Sequence, residues 1–175
     1  DHTPAMPARA QSNTGKRGFV NFSFQACDHE SLPFPDESFY LATCGSAFHH
    51  FPKPALVLSE MVRVICPGGT IALTDIITSE DEQKAALHNR LENMRDSSHT
   101  RSLSLSELVT MFEAAGLHDI QTRTLPSPRE LEEWFAISHT SSEIADLVRK
   151  EFIASIRDDA AGLSVYQVGE VVHFC

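Results

Sequence analysis

The stretch from Phe39 to Asp75 constrains the fold class more tightly than any other part of the chain, because its hydrophobic period changes twice. Phe39-Tyr-Leu-Ala-Thr-Cys44 is a short apolar run, the form of a buried strand. Pro54 then opens a helix in its first turn, where a missing N–H costs little. Leu56, Met61, Val64 and Ile65, with Val57 beside them, make one apolar face, and Pro67-Gly68-Gly69 ends the helix. Thr70-Ile-Ala-Leu-Thr-Asp75 is a second buried strand. Strand, helix and strand in so short a span read as one parallel crossover unit.

The flanking sequence extends this pattern. Thr3 to Gln11 reads as a short helix confined by Pro4 and Pro7, and Asn13 to Gly18 as a loop. Val20 to Ala26 alternates apolar and polar residues, which predicts a strand. A charged helix is expected from about Glu80 to Arg95, with Leu87, Leu91 and Met94 on one stripe. Ser104-x-x-Glu107 has the form of a capping box, and Gly116 stands where that helix would be capped at its C-terminus. Ile120 to Leu125 reads as a strand, 128–138 and 141–156 as helices, and Val165 to Phe174 as a final strand broken at Gly169. The expectation is a single α/β domain over residues 1–175, mostly parallel with an antiparallel edge from the last two strands.

Composition excludes several classes of function. The formal net charge is -10, so phosphate neutralisation contributes nothing and nucleic acid is not an expected partner. No apolar run reaches the length of a membrane span, and no signal peptide is visible. Cys27, Cys44, Cys66 and Cys175 form no C-x-x-C pair, so no zinc site is expected. They read as reduced, mostly buried thiols of a cytoplasmic protein.

Four segments now stand in a telling order: Leu32-Pro-Phe-Pro-Asp-Glu-Ser-Phe39, His49-His50-Phe51, Glu60-Met-Val-Arg-Val-Ile-Cys-Pro-Gly-Gly69 and Asp75. In that order and spacing they resemble class I S-adenosylmethionine (SAM) dependent methyltransferases of the menaquinone/ubiquinone-biosynthesis type, which act on small molecules. Asp1 to Met6 resembles the segment after that family's second strand, and Asn93 to His99 resembles one small-molecule subgroup. The resemblance reaches to about Phe135. It implies a Rossmann-like sheet and transfer of a methyl group from SAM to a small-molecule acceptor.

The resemblance also implies roles. Asp1 would hydrogen-bond the ribose hydroxyls of SAM, with a solvated terminal carboxylate as the alternative. Asp28, with His29 and Glu30 beside it, would lie along the adenine edge; otherwise Asp28 caps the following turn. Cys44 to His49 would line the cleft at the end of a strand, where ligands of open α/β sheets bind. Phe48 reads as core. His49 or His50 would accept a proton as the methyl group arrives, and a structural imidazole bonded to backbone is the competing reading. Arg95, Asp96, His99 and Arg101 form a polar group for which a solvated loop is expected.

The sequence departs from the family at Tyr40, where Asp is usual, and at Cys66, where Lys is common. The larger departure is that the eight glycines include no G-x-G. The family's glycine-rich loop, with the strands around it, precedes the segment matched by Asp1, so those N-terminal strands are expected to be absent from this chain. Three outcomes fit: the protein extends N-terminally, a second copy completes the sheet as a homodimer, or the fold no longer methylates.

Overall fold

The computed structural model describes residues 5–175. Its contacts divide the chain into two compact units, one holding residues up to Thr43 with Lys53–Leu73, the other Cys44–Pro52 with Thr74–Cys175.

The first unit carries helix α1 (Ala5–Lys16), most of strand β1 (Phe39–Gly45), helix α2 (Pro54–Val64) and most of strand β2 (Ile65–Thr74). The expected crossover is present: β1 and β2 pair in a parallel sheet, with α2 between them in sequence. Val57, Leu58, Met61 and Val64 bury one face of α2, while Leu56 is exposed. The helix stops at Val64, earlier than Pro67-Gly68-Gly69, and β2 runs through those three residues. Gly69 makes this close pairing possible. A Cβ there would stand 2.5 Å from Ile65 Cγ2 and 2.9 Å from the Tyr40 carbonyl oxygen.

The two strands are not buried as expected. Phe39, Tyr40 and Leu41 are exposed, because among the described residues β1 pairs with β2 alone. Residues 20–26 form no strand either. Alternation selects which face a side chain takes, but a strand also needs a backbone partner. The Phe22 and Phe24 rings stack at 6.2 Å on an otherwise open segment. The loop expected from Asn13 begins later, because α1 continues to Lys16, where the Thr14 hydroxyl donates back to the Ala10 carbonyl.

The second unit contains helices α3 (Glu82–Arg95), α4 (Leu105–Ala114), α5 (Leu131–Ile137) and α6 (Ser142–Ser155) and strands β3 (Arg129–Glu130), β4 (Tyr166–Val168) and β5 (Val171–Phe174). Asp81 caps α3 by accepting the N–H groups of Gln83 and Lys84. The capping box predicted for α4 is complete. The final apolar stretch is a hairpin that turns at Gly169, with φ +62, the left-handed region that favours glycine. Its strands join β3 in an antiparallel sheet of their own, ordered β3-β5-β4. Residues 120–125 make no strand. Trp134, Phe152 and Phe174 pack at ring distances of 5.1–5.5 Å in the centre of this unit's core, against Leu91 of α3. No helix among the described residues is long and apolar enough to cross a membrane.

Candidate active site

The second unit collects the chain's most unusual polar chemistry. This unit takes in the last residues of β1, Cys44 and Gly45, and the last residue of β2, Thr74, with the segments that follow them. Phe48–His50 form a single 3-10 turn that begins just past Ser46, a residue with φ +49. Phe48 is buried, as its sequence reading required.

Asp75 organises this turn. Its Oδ2 accepts the backbone N–H of His49 at 2.9 Å, and its Oδ1 accepts the N–H of Ile76 at 2.8 Å. The same Oδ1 lies 2.5 Å from His49 Nδ1. A carboxylate only accepts, so Nδ1 carries a proton and donates it to Asp75. Burial works against ionisation of Asp75, but the hydrogen bonds and charge of His49 outweigh it and hold the carboxyl below its ordinary value. Burial first, then the Asp75 charge, push the Cys44 thiol up to about 11, so it stays protonated.

The segment expected to be a solvated loop is instead tied down. Thr100 and Arg101 both donate their N–H groups to the His49 carbonyl, at 2.9 and 3.0 Å. The Thr100 hydroxyl donates to the His50 carbonyl at 2.9 Å, and His50 Nδ1 lies 2.9 Å from the Ser98 carbonyl. Arg95 pairs with buried Glu92 at 2.8 Å and lies 4.4 Å from the centroid of the Trp134 ring. His99 is 4% exposed, with its Nε2 3.0 Å from Asn89 Oδ1. Burial is the main reason its pKa falls to about 4. The cause of the miss is tertiary. A polar run reads as solvent-facing until a backbone carbonyl elsewhere, here that of His49, claims its N–H groups.

Beside the dyad lies a small cavity of about 10 Å³ with His49, Asp75, Ser102 and Leu103 in its wall. That is room for roughly one water-sized group. Ser102 Oγ, Thr78 Oγ1 and His99 Nδ1 are buried with no hydrogen-bond partner. Among the described residues, no group of three or more His, Cys, Asp or Glu side chains is arranged to hold a metal ion.

The structure therefore brings together His49, His50 and Cys44 of the predicted site residues within one unit. Asp1 lies outside the described residues. Asp28 belongs to the other unit, where its Oδ1 accepts the Glu30 N–H at 2.8 Å and its carbonyl accepts the Ser31 N–H. This is the turn-capping geometry that competed with the adenine role, and His29 sits in that turn. Asp75, the partner of His49, was visible in sequence only as the acid ending a strand.

Comparison with known proteins settles the family. A family model described as a methyltransferase domain matches residues 1–73. The uncharacterized methyltransferase YcgJ of Bacillus subtilis is 33% identical over 183 residues, spanning all of this chain and 70% of that protein. This chain belongs to the class I methyltransferases. The crystal structure of YcgJ superposes with a TM-score of 0.92 at 31% identity, covering 100% of this chain and 76% of that one. A structure of a putative methyltransferase from Bacillus halodurans gives 0.90 at 26% identity, covering 98% and 76%. The fold is thus the Rossmann-like fold of this methyltransferase family. A demethylmenaquinone methyltransferase of Deinococcus radiodurans is 35% identical over 75 residues, covering 43% of this methyltransferase chain and 31% of the relative.

Proposed function

We propose that this methyltransferase uses SAM to methylate a small-molecule acceptor at an oxygen or nitrogen, with the His49–Asp75 dyad as its base. The dyad carries the reading. It stands just past the carboxyl end of β2, where open α/β sheets place their ligands. When bound, SAM supplies an electrophilic methyl carbon on a sulfonium, a centre that needs alignment more than acid assistance.

The residues of the second unit suit such a co-substrate. Cys44, next to the last residue of β1, is a neutral thiol, whereas a thiolate there would compete with the acceptor as a nucleophile. Beside it, a Cβ on Gly45 would meet nothing within 4 Å among the described residues. In this reading His49 Nε2 takes the acceptor's proton as the acceptor's heteroatom gains the methyl group. Asp75 then holds the resulting imidazolium through the bond already in place at Nδ1. The net charge of -10 favours a small acceptor over nucleic acid.

Isothermal titration with SAM tests the reading directly. Saturable binding is expected, and a flat trace would count against it in favour of a family member that serves another ligand.

A further inference from the structure

Two asparagines of α3, Asn89 and Asn93, stand four residues apart and so share one face of the helix. Asparagine is a poor helix former, because its amide competes for backbone groups, so its place here asks what the amides bind. Asn89 Oδ1 accepts the Ser102 N–H at 2.7 Å and lies 3.0 Å from His99 Nε2. Asn89 Nδ2 donates to the carbonyls of Ala85 and Ser102, both at 3.1 Å. A backbone N–H only donates and a carbonyl only accepts, so the orientation of the amide is fixed and its two hydrogens and two lone pairs are all engaged. Asn93 Nδ2 donates to the Asn89 carbonyl at 2.9 Å and reaches the Thr100 carbonyl at 3.4 Å.

The segment that these amides hold is the one that holds the histidines. His99 and Ser102 are buried and take the bonds to Asn89. Between them, Thr100 and Arg101 give their N–H groups to the His49 carbonyl, and the Thr100 hydroxyl goes to the His50 carbonyl. Just before them, the Ser98 carbonyl meets His50 Nδ1. Residues 98–102 are thus a strap with α3 on one side and the His49–His50 turn on the other. Asp75 holds His49 by its N–H and by Nδ1. The His49 carbonyl is held by the strap, so the turn is fixed from both sides of one peptide segment.

We propose that Asn89 is a positioning residue for the His49–Asp75 pair. Among the described residues it bonds to neither of them, and it acts through the 98–102 strap to set where the His49–His50 turn stands. The role of His49 as base comes from the methyl-transfer reading, on which this inference rests, whereas the hold of Asn89 on the turn stands on the hydrogen bonds alone.

Nuclear magnetic resonance of the ¹⁵N-labelled protein, without SAM, tests this. In Asn89→Ala the Thr100 and Arg101 amides should exchange with solvent about 10- to 100-fold faster, the effect of losing one or two hydrogen bonds. The His49 Nδ1–H signal, which reports the bond to Asp75, should shift and exchange faster as well. Helix propensity alone favours alanine at this position, so these losses would come from the strap. Asn93→Ala, which gives up one long bond to the strap, should act in the same direction and less. Val148→Ala, a truncation in the core on α6, is the control: it should lower the melting temperature and leave the His49 and His50 ring signals where they are. An unmoved His49 signal in Asn89→Ala, or an equal shift in Val148→Ala, would overturn the proposal. Asn89→Asp keeps the side-chain volume but turns an acceptor towards two carbonyls, and it decides in the same way where Asn89→Ala does not fold. Calorimetry of the wild-type protein with SAM separates the two ideas. SAM binding with an unmoved His49 signal removes only this inference, and a moved signal without SAM binding removes only the methyl-transfer reading.

Discussion

Each unit contains one dense polar network, and the two differ in how fully their hydrogen bonds are used. In the first unit, Arg63 donates to Glu60, to Asp36 and to the carbonyls of Leu32 and Phe34, while Glu60 also takes the Leu32 N–H. The Arg63 side chain hydrogen bond holds the Glu60 carboxyl down at about 2. In the second unit, His49 and His50 are held firmly on one side and left open on the other, and three nearby polar atoms are buried without partners. A satisfied network rigidifies a scaffold. An incompletely satisfied one costs about 1–3 kcal/mol per buried orphan and persists where a ligand or a reaction uses it. The residues that most clearly announce the family, Glu60-x-x-Arg63 and the Leu32–Asp36 segment, are therefore clamps, and the proposed base lies instead with His49 and the less conspicuous Asp75.

Substitutions should separate the two networks. His49→Ala should lower kcat about 10²- to 10⁴-fold, the range for removing a general base. Equal activity in single-turnover methyl transfer would show that the dyad is structural. Arg63→Ala should do the reverse, lowering the midpoint of urea unfolding through the loss of several charge-assisted hydrogen bonds while leaving the His49 resonances in place.

Acid should weaken the second unit through His99. Its folded pKa of about 4 lies below the ordinary 6.5, so the unfolded chain binds the proton first. The stability this group provides is fully present above about 6.5 and is lost as pH falls towards about 4. The loss should be on the order of 3 kcal/mol. His99→Asn should flatten that part of the pH–stability curve, and an unchanged slope would argue against a neutral buried ring. Gly69→Ala should cost about 1–3 kcal/mol, because its Cβ meets the Tyr40 carbonyl oxygen at 2.9 Å. The smallest effect is expected from Ser104→Ala, about 1 kcal/mol for the lost cap, measured by thermal unfolding.

Sequence reasoning located the elements whose signals are local. The Ser104–Glu107 capping box, the Leu87–Leu91–Met94 stripe of α3 and the crossover around α2 all stand as read. It failed where a second strand was needed. Residues 20–26 and 120–125 have strand patterns without a ladder, and the Phe39–Leu41 run is apolar but exposed. The two histidines were found because adjacent imidazoles are conspicuous, but their tautomers were not, since these depend on Asp75 and Ser98, 26 and 48 residues away.

The sequence by itself determined the family, the crossover around α2 and the Ser104 cap, because each is carried by a pattern that runs along one continuous stretch of chain. Tertiary structure decided that Glu60 and Arg63 clamp the Leu32–Asp36 segment and that Asp75 holds the His49 turn. It also decided that the 95–101 segment closes onto the His49–His50 turn. Those outcomes depend on where backbone carbonyls and a buried carboxylate end up in space, and no local pattern encodes that.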